Sequence, residues 1–120
     1  MDENLRFIES IVGEQLSSVE FVQDYVQLRF DGPTLTAFVW PVVHGAGKAV
    51  GVGEPGYRDE LCARIGSKVL AARLQEAKAL IVEFDDGASV TISLRPEDSV
   101  GPEAGHFCAC SNPGDPILEL

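Results

Sequence analysis

Apolar and polar residues alternate along two stretches of the chain, and a period of two marks half-buried strands. In the first stretch, Val19 and Phe21 stand among polar neighbours over residues 16–22. Val26, Leu28 and Phe30 alternate with Gln27 and Arg29 over 25–30, and Leu35, Ala37 and Val39 alternate with Thr36 and Phe38 over 34–39. Asp31-Gly32 between the last two runs is a tight-hairpin signal. Pro41 ends the third run, because proline cannot donate to a ladder. The second stretch repeats the scheme over 80–84 and 89–94, about an Asp85-Asp86-Gly87 turn. Helical spacing takes over in two places. Leu5, Ile8, Ile11 and Val12 share a face over 2–12, where Asp2 is placed to cap the start and Gly13 to close the end. Tyr57, Leu61 and Ile65 share a face over 56–65, closed by Gly66.

The two stretches align with each other. An offset of 53 positions (65 − 12) sets Val12-Gly13 on Ile65-Gly66, Leu16 on Val69, Val19 on Ala72 and Phe21 on Leu74. An offset of 54 (84 − 30) sets Val26 on Leu80, Leu28 on Val82 and Phe30 on Phe84. An offset of 55 (96 − 41) sets Gly32 on Gly87, Leu35 on Val90, Ala37 on Ile92, Val39 on Leu94 and Pro41 on Pro96. Both one-residue slips fall in turns, where insertions are tolerated. The alignment also decides residues 68–79, which by propensity read as helix, with Ala71, Ala72, Leu74, Glu76 and Ala77. Residues 69–74 stand opposite strand residues of the first stretch, so strand is the expectation.

The expected fold class is therefore α+β. It is an internally duplicated α-β-β-β unit, with two antiparallel three-stranded meanders and two helices about a pseudo-twofold axis. One domain spans 1–120, since one such meander buries too little surface to stand alone. Repeat one covers about 2–43, a glycine-rich connector 44–56, repeat two about 57–96 and a tail 97–120. The tail is rich in proline, glycine and acid, and its end, 111–120, is expected to be poorly ordered.

Charge narrows the partners. Lys plus Arg is 9 and Asp plus Glu 19, for a net charge of −10. Such a chain repels phosphate backbones and anionic lipid surfaces. Its basic residues are scattered singly from Arg6 to Arg95. No nucleic acid and no membrane are expected; a basic protein partner suits the charge. Exposed sheet edges offer a homodimer. No apolar run approaches the roughly 20 residues of a membrane helix. The acidic start Met1-Asp2-Glu3-Asn4 is unlike an export signal, so the expected location is cytoplasmic. Three cysteines, Cys62, Cys108 and Cys110, are an odd count, which points to reduced thiols rather than a disulfide framework.

Candidate chemistry is sparse. Gly51-Val52-Gly53-Glu54-Pro55-Gly56 matches a dinucleotide fingerprint literally. It lacks the preceding buried strand, Glu54 would meet the pyrophosphate, and Pro55 has no N–H. A flexible link is the expectation. Gly47-Lys48 lacks the hydroxyl and spacing of a phosphate loop. His106, Cys108 and Cys110 fall on one side of an extended segment and carry zinc- or copper-type ligand atoms, with Cys62 or His44 needed to complete a site. The alternative is thiols packing the tail around Phe107. A nucleophilic pair would draw on those cysteines with His44 or His106. Cys62, beside an apolar helix stripe, reads as inert core. Asp85-Asp86 and Glu97-Asp98 read as turn residues. Trp40 and Tyr57, with Arg95, Glu97 and Asp98, make a candidate binding surface, because aromatics and arginine favour contact patches. Trp40 packed between sheets is the competing expectation.

The runs G-E-P-G-Y-R-D-E-L-C (53–62) and I-S-L-R-P-E-D-S-V-G-P-E-A (92–104) resemble a family of small uncharacterised bacterial proteins. That resemblance adds no catalytic residue, and no cofactor is expected. The small single-domain layout is also similar to that of some bacterial immunity proteins. The expected function is a non-catalytic binding or assembly module, of an acidic immunity-type or accessory kind. The alternatives are a metal-binding protein using His106, Cys108 and Cys110, or a small-molecule binder between the repeats.

Overall fold

The structure, a computed structural model, describes residues 8–45, 47–99, 104–108 and 117–120. Among them, ten strands form two antiparallel five-stranded sheets. β1 (Leu16–Phe21), β2 (Val26–Phe30) and β3 (Thr34–Ala37) make one meander. β6 (Val69–Gln75), β7 (Ala79–Phe84) and β8 (Ser89–Ser93) make the other. A hairpin follows each meander: β4 (Val42–Gly45) with β5 (Lys48–Val50), and β9 (Gly105–Cys108) with β10 (Ile117–Glu119). Each hairpin leaves the meander it follows. β4 pairs with β8 and β9 pairs with β3, so the sheets run β1-β2-β3-β9-β10 and β5-β4-β8-β7-β6.

The meanders match in detail. Leu16 faces Phe30 and Phe21 faces Val26 in one; Val69 faces Phe84 and Leu74 faces Leu80 in the other. A bulge falls between Leu16 and Ser18, and another between Val69 and Ala71. The meanders meet through reciprocal backbone bonds. Gly13 N donates to Val69 O and Gly66 N to Leu16 O, both at 2.8 Å. Leu16 N donates to Ser67 O at 2.9 Å and Val69 N to Glu14 O at 3.0 Å, about a Gln15–Lys68 bridge. Gly13 and Gly66 stand at φ 87° and 95°, a region a side chain makes costly. That geometry turns the chain from the preceding coil into the strand.

Alternation places apolar side chains of the meander strands inward. Leu28, Leu35 and Phe107 from one sheet and Val43, Val82 and Ile92 from the other are fully buried in a single core cluster. β9 lies so close to β3 that position 105 has no room for a side chain. A Cβ on Gly105 would overlap the Thr36 carbonyl oxygen and come within 3.4 Å of Ala37 Cα.

The expected α+β class with two helices is corrected: the chain is mostly β. The one α-helix among the described residues is α1 (Tyr57–Cys62), shorter than the expected 56–65. The described end of the expected first helix, 2–12, is Ile8 and a 3-10 turn, Glu9–Ile11; residues 1–7, with Asp2 and Leu5, lie outside the described residues. Three apolar positions at helical spacing satisfy the period but bury only one turn. Ile8, Ile11, Tyr57 and Leu61 go inward, whereas Val12 and Ile65 point out beside their glycines, 42% and 44% exposed. Cys62, expected in the core, is exposed at the end of α1. Residues 69–75 are strand, because pairing with β7 outweighs alanine-rich helix propensity. The connector 44–56 and the tail 97–120 also supply strands rather than links; residues 111–116 lie outside the described residues. No helix among the described residues is long and apolar enough to cross a membrane.

The close approach at residue 105 gives a test. Gly105→Ala is expected to cost about 1–3 kcal/mol, as overpacking does, read as a lower urea midpoint. An unchanged midpoint would mean that β9 does not sit this tightly on β3.

Candidate functional site

The chain leaves the first sheet at Ala37 and enters the second at Val42, so residues 38–41 form a crossover between sheets. Trp40 lies on it, half-buried, with one side packed on the core. Phe38 stands two residues earlier on the outer side. Its ring is held edge-on between Tyr25 at 5.6 Å and His106 at 5.3 Å.

α1 clamps the crossover. The Tyr57 hydroxyl donates to the Pro41 carbonyl at 2.5 Å, and the ring is 5% exposed. Burial disfavours the phenolate and pushes the Tyr57 pKa up to about 12. The hydroxyl is therefore a neutral tether, with its proton committed to a backbone acceptor.

The glycine-rich run before α1 is a built turn, not a loose link. Glu54 N donates to Gly51 O at 3.1 Å, Glu54 Oε1 accepts from Gly51 N at 2.7 Å, and Tyr57 N donates to Glu54 O at 3.2 Å. A carboxylate of the motif itself occupies the Gly51 N–H, which a phosphate cradle would need free.

Crossover, glycine turn and the β1–β2 turn enclose a groove. One half, about 780 Å³, is lined by Phe21, Val22, Trp40, Val52 and Tyr57 with Gln23, Glu54, Arg58 and Asp59 at its rim. The other half, about 660 Å³, has Phe38, Val39, Trp40 and Val42 with Asp24, Ser93 and Asp98. Gln23, Trp40 and Val52 belong to both halves, so the two adjoin at Trp40. The groove's lining mixes apolar and polar side chains. Four acidic residues, Asp24, Glu54, Asp59 and Asp98, line it with a single arginine, Arg58, whose guanidinium lies 5.7 Å over the Phe21 ring.

The residues expected to form a binding surface divide. Trp40, Tyr57 and Asp98 line the groove; Arg95 and Glu97 are exposed on and beside the 3-10 turn Pro96–Asp98, outside the lining. The candidate metal ligands fare differently. His106 and Cys108 share the outer side of β9, where the buried His106 Nδ1 has no hydrogen-bond partner. Cys108 is disulfide-bonded, against the expectation of reduced thiols, and a bridged sulfur is not a thiolate ligand. An odd count excludes only full pairing; among the described residues Cys62 is a free thiol. Cys110 lies outside the described residues. No group of three or more metal-ligand side chains converges among the described residues. His44 is exposed on β4.

Phe21, Phe38, Val52, Asp24 and Arg58 line the groove without having been singled out in the sequence. Phe38 carried a signal: an aromatic at an outward position of an alternating strand has no core to enter. Comparison with protein-family models, with curated proteins and with solved structures finds no match to the chain.

Tyr57→Phe is expected to destabilise the chain by about 1–2 kcal/mol, the cost of a lost buried hydrogen bond and an unpaired carbonyl. The folded pKa is raised, so this contribution is complete below about pH 10 and is lost as pH rises through about 12. Urea unfolding of both proteins at several alkaline pH values should show the gap narrowing over that window; a gap constant with pH would refute the tether.

Proposed function

We propose that the chain is a non-catalytic binding module that docks a basic, apolar segment of a partner protein in the groove about Trp40. One observation carries this reading: a groove with apolar side chains about a tryptophan, and four acidic residues against one arginine in its lining. Exposed apolar surface of this kind is costly in water and gains by being covered. Val52, 55% exposed at the middle of the groove, is such a residue. The rim selects the charge of what covers it. With a net charge of −10, the chain attracts lysine- and arginine-bearing partners over a distance and repels acidic ones, a second copy of itself included. This is the behaviour of an acidic accessory or immunity-type protein, and the cytoplasm is the compartment that goes with it.

Trp40 is the single tryptophan, so its fluorescence reports on this groove alone. A short Lys/Leu peptide is expected to move the emission to shorter wavelength saturably and more weakly at high salt. A Glu/Leu peptide of the same length should do neither. Val52→Lys, on an exposed turn, is expected to weaken the Lys/Leu response about tenfold, or 1.4 kcal/mol. Equal response to both peptides, or none, would overturn the reading. Emission that depends on protein concentration alone would replace the basic partner with a second copy.

A further inference from the structure

The groove's two halves differ in charge, and the difference identifies what the second half holds. We infer that the cavity walled by Phe38 and Trp40 receives an arginine side chain of the partner, held in the plane of its guanidinium by Asp24 and Asp98. This inference rests on the binding reading above and names the group that is recognised.

Three observations lead there. First, the cavity is lined by two carboxylates and no lysine or arginine. The carboxylates come from separate places in the chain, Asp24 from the β1–β2 turn and Asp98 from the 3-10 turn after β8. Asp98 is already oriented, since its Oδ2 accepts from the Ser93 hydroxyl at 2.6 Å, which leaves Oδ1 to accept from a ligand. Second, the remaining lining is Gln23, Ser93, Val39, Val42, Val52 and two aromatic rings. A compact, strongly hydrated ammonium would lose more water against the rings and valines than a guanidinium. A planar guanidinium suits such walls, because it stacks on ring faces while its N–H groups reach carboxylates at its edge. Third, the same chemistry is realised in the adjoining half. There the chain's own Arg58 lies over the Phe21 ring. One half of the groove is thus furnished with an arginine on an aromatic ring, and the other has rings and acids in its lining with no arginine or lysine.

The test uses three peptides that differ at one position, carrying arginine, lysine or citrulline in a common Leu-containing frame. Citrulline keeps the shape of arginine and removes its charge. Binding is read by Trp40 emission on the full chain. The arginine peptide is expected to bind several-fold more tightly than the lysine peptide and at least about tenfold more tightly than citrulline. Asp24→Asn should reduce that preference, and Asp24→Asn with Asp98→Asn should abolish it, while the citrulline peptide binds as before. Asp24 is exposed in a turn, so the single variant stays informative if the double variant unfolds. Equal binding of arginine and citrulline would overturn the inference and leave the groove reading intact. So would a preference that survives Asp24→Asn but falls with Glu54→Gln or Asp59→Asn, which would place the cation in the other half. Lysine equal to arginine would overturn the guanidinium assignment. No response to any of the three peptides would overturn both readings together.

Discussion

The ladders between β3 and β9 and between β4 and β8 join the two halves of the chain. Without them each meander would end on an unpaired strand, and an open edge invites pairing with other chains. Each half covers that edge for the other. Phe107 and Val43, at matching places in these two ladders, each go to zero exposure against the meander of the opposite half. The reciprocal bonds of Gly13 and Gly66 add a second seam at the other end of the meanders. Two seams, both between halves, leave neither half with a complete core of its own.

The groove is a product of this exchange. To deliver β4 to the second sheet, the chain must cross from β3 in four residues, and those residues include Phe38 and Trp40. A strand that turned back on its own meander would have placed them differently. α1 then fastens the crossover through Tyr57 and Pro41, and the glycine turn before α1 closes one wall. The return crossing after β8 supplies Asp98 to the other. Apolar and acidic parts of the lining thus come from segments that exist to carry strands between sheets, and the charge of the whole chain has the same sign as the rim.

Much of the meander architecture was readable from alternation, because β2, β7 and β8 bury every second residue. The strand over residues 69–74 was readable only through its alignment with the first stretch, against its own propensity. The exchanged hairpins were not readable. β4, β5, β9 and β10 have three or four residues each, too few to show a period, and they lie among glycines, prolines and acids that resemble linker. Nothing local says that Val43 pairs with Val90 rather than folding back on β3. The helices were over-read for the converse reason: three or four apolar residues meet the helical period, yet Val12 and Ile65 end up in solvent. At the groove, Trp40, Tyr57 and Asp98 stood out by residue type. Phe21, Asp24 and Val52 did not, since only the crossover brings their turns together.

Dependence of each half on the other is the claim on which the rest stands, and separating the halves tests it most directly. Residues 1–50 and 51–120, made as two polypeptides, divide the chain just after β5. Each alone should show no cooperative unfolding in urea. Mixed in equal amounts, they should form a one-to-one complex with a cooperative transition and the Trp40 emission of the intact chain. A half that unfolds cooperatively by itself would mean that its hairpin can close its own meander, and the exchange would then not be what holds the protein together.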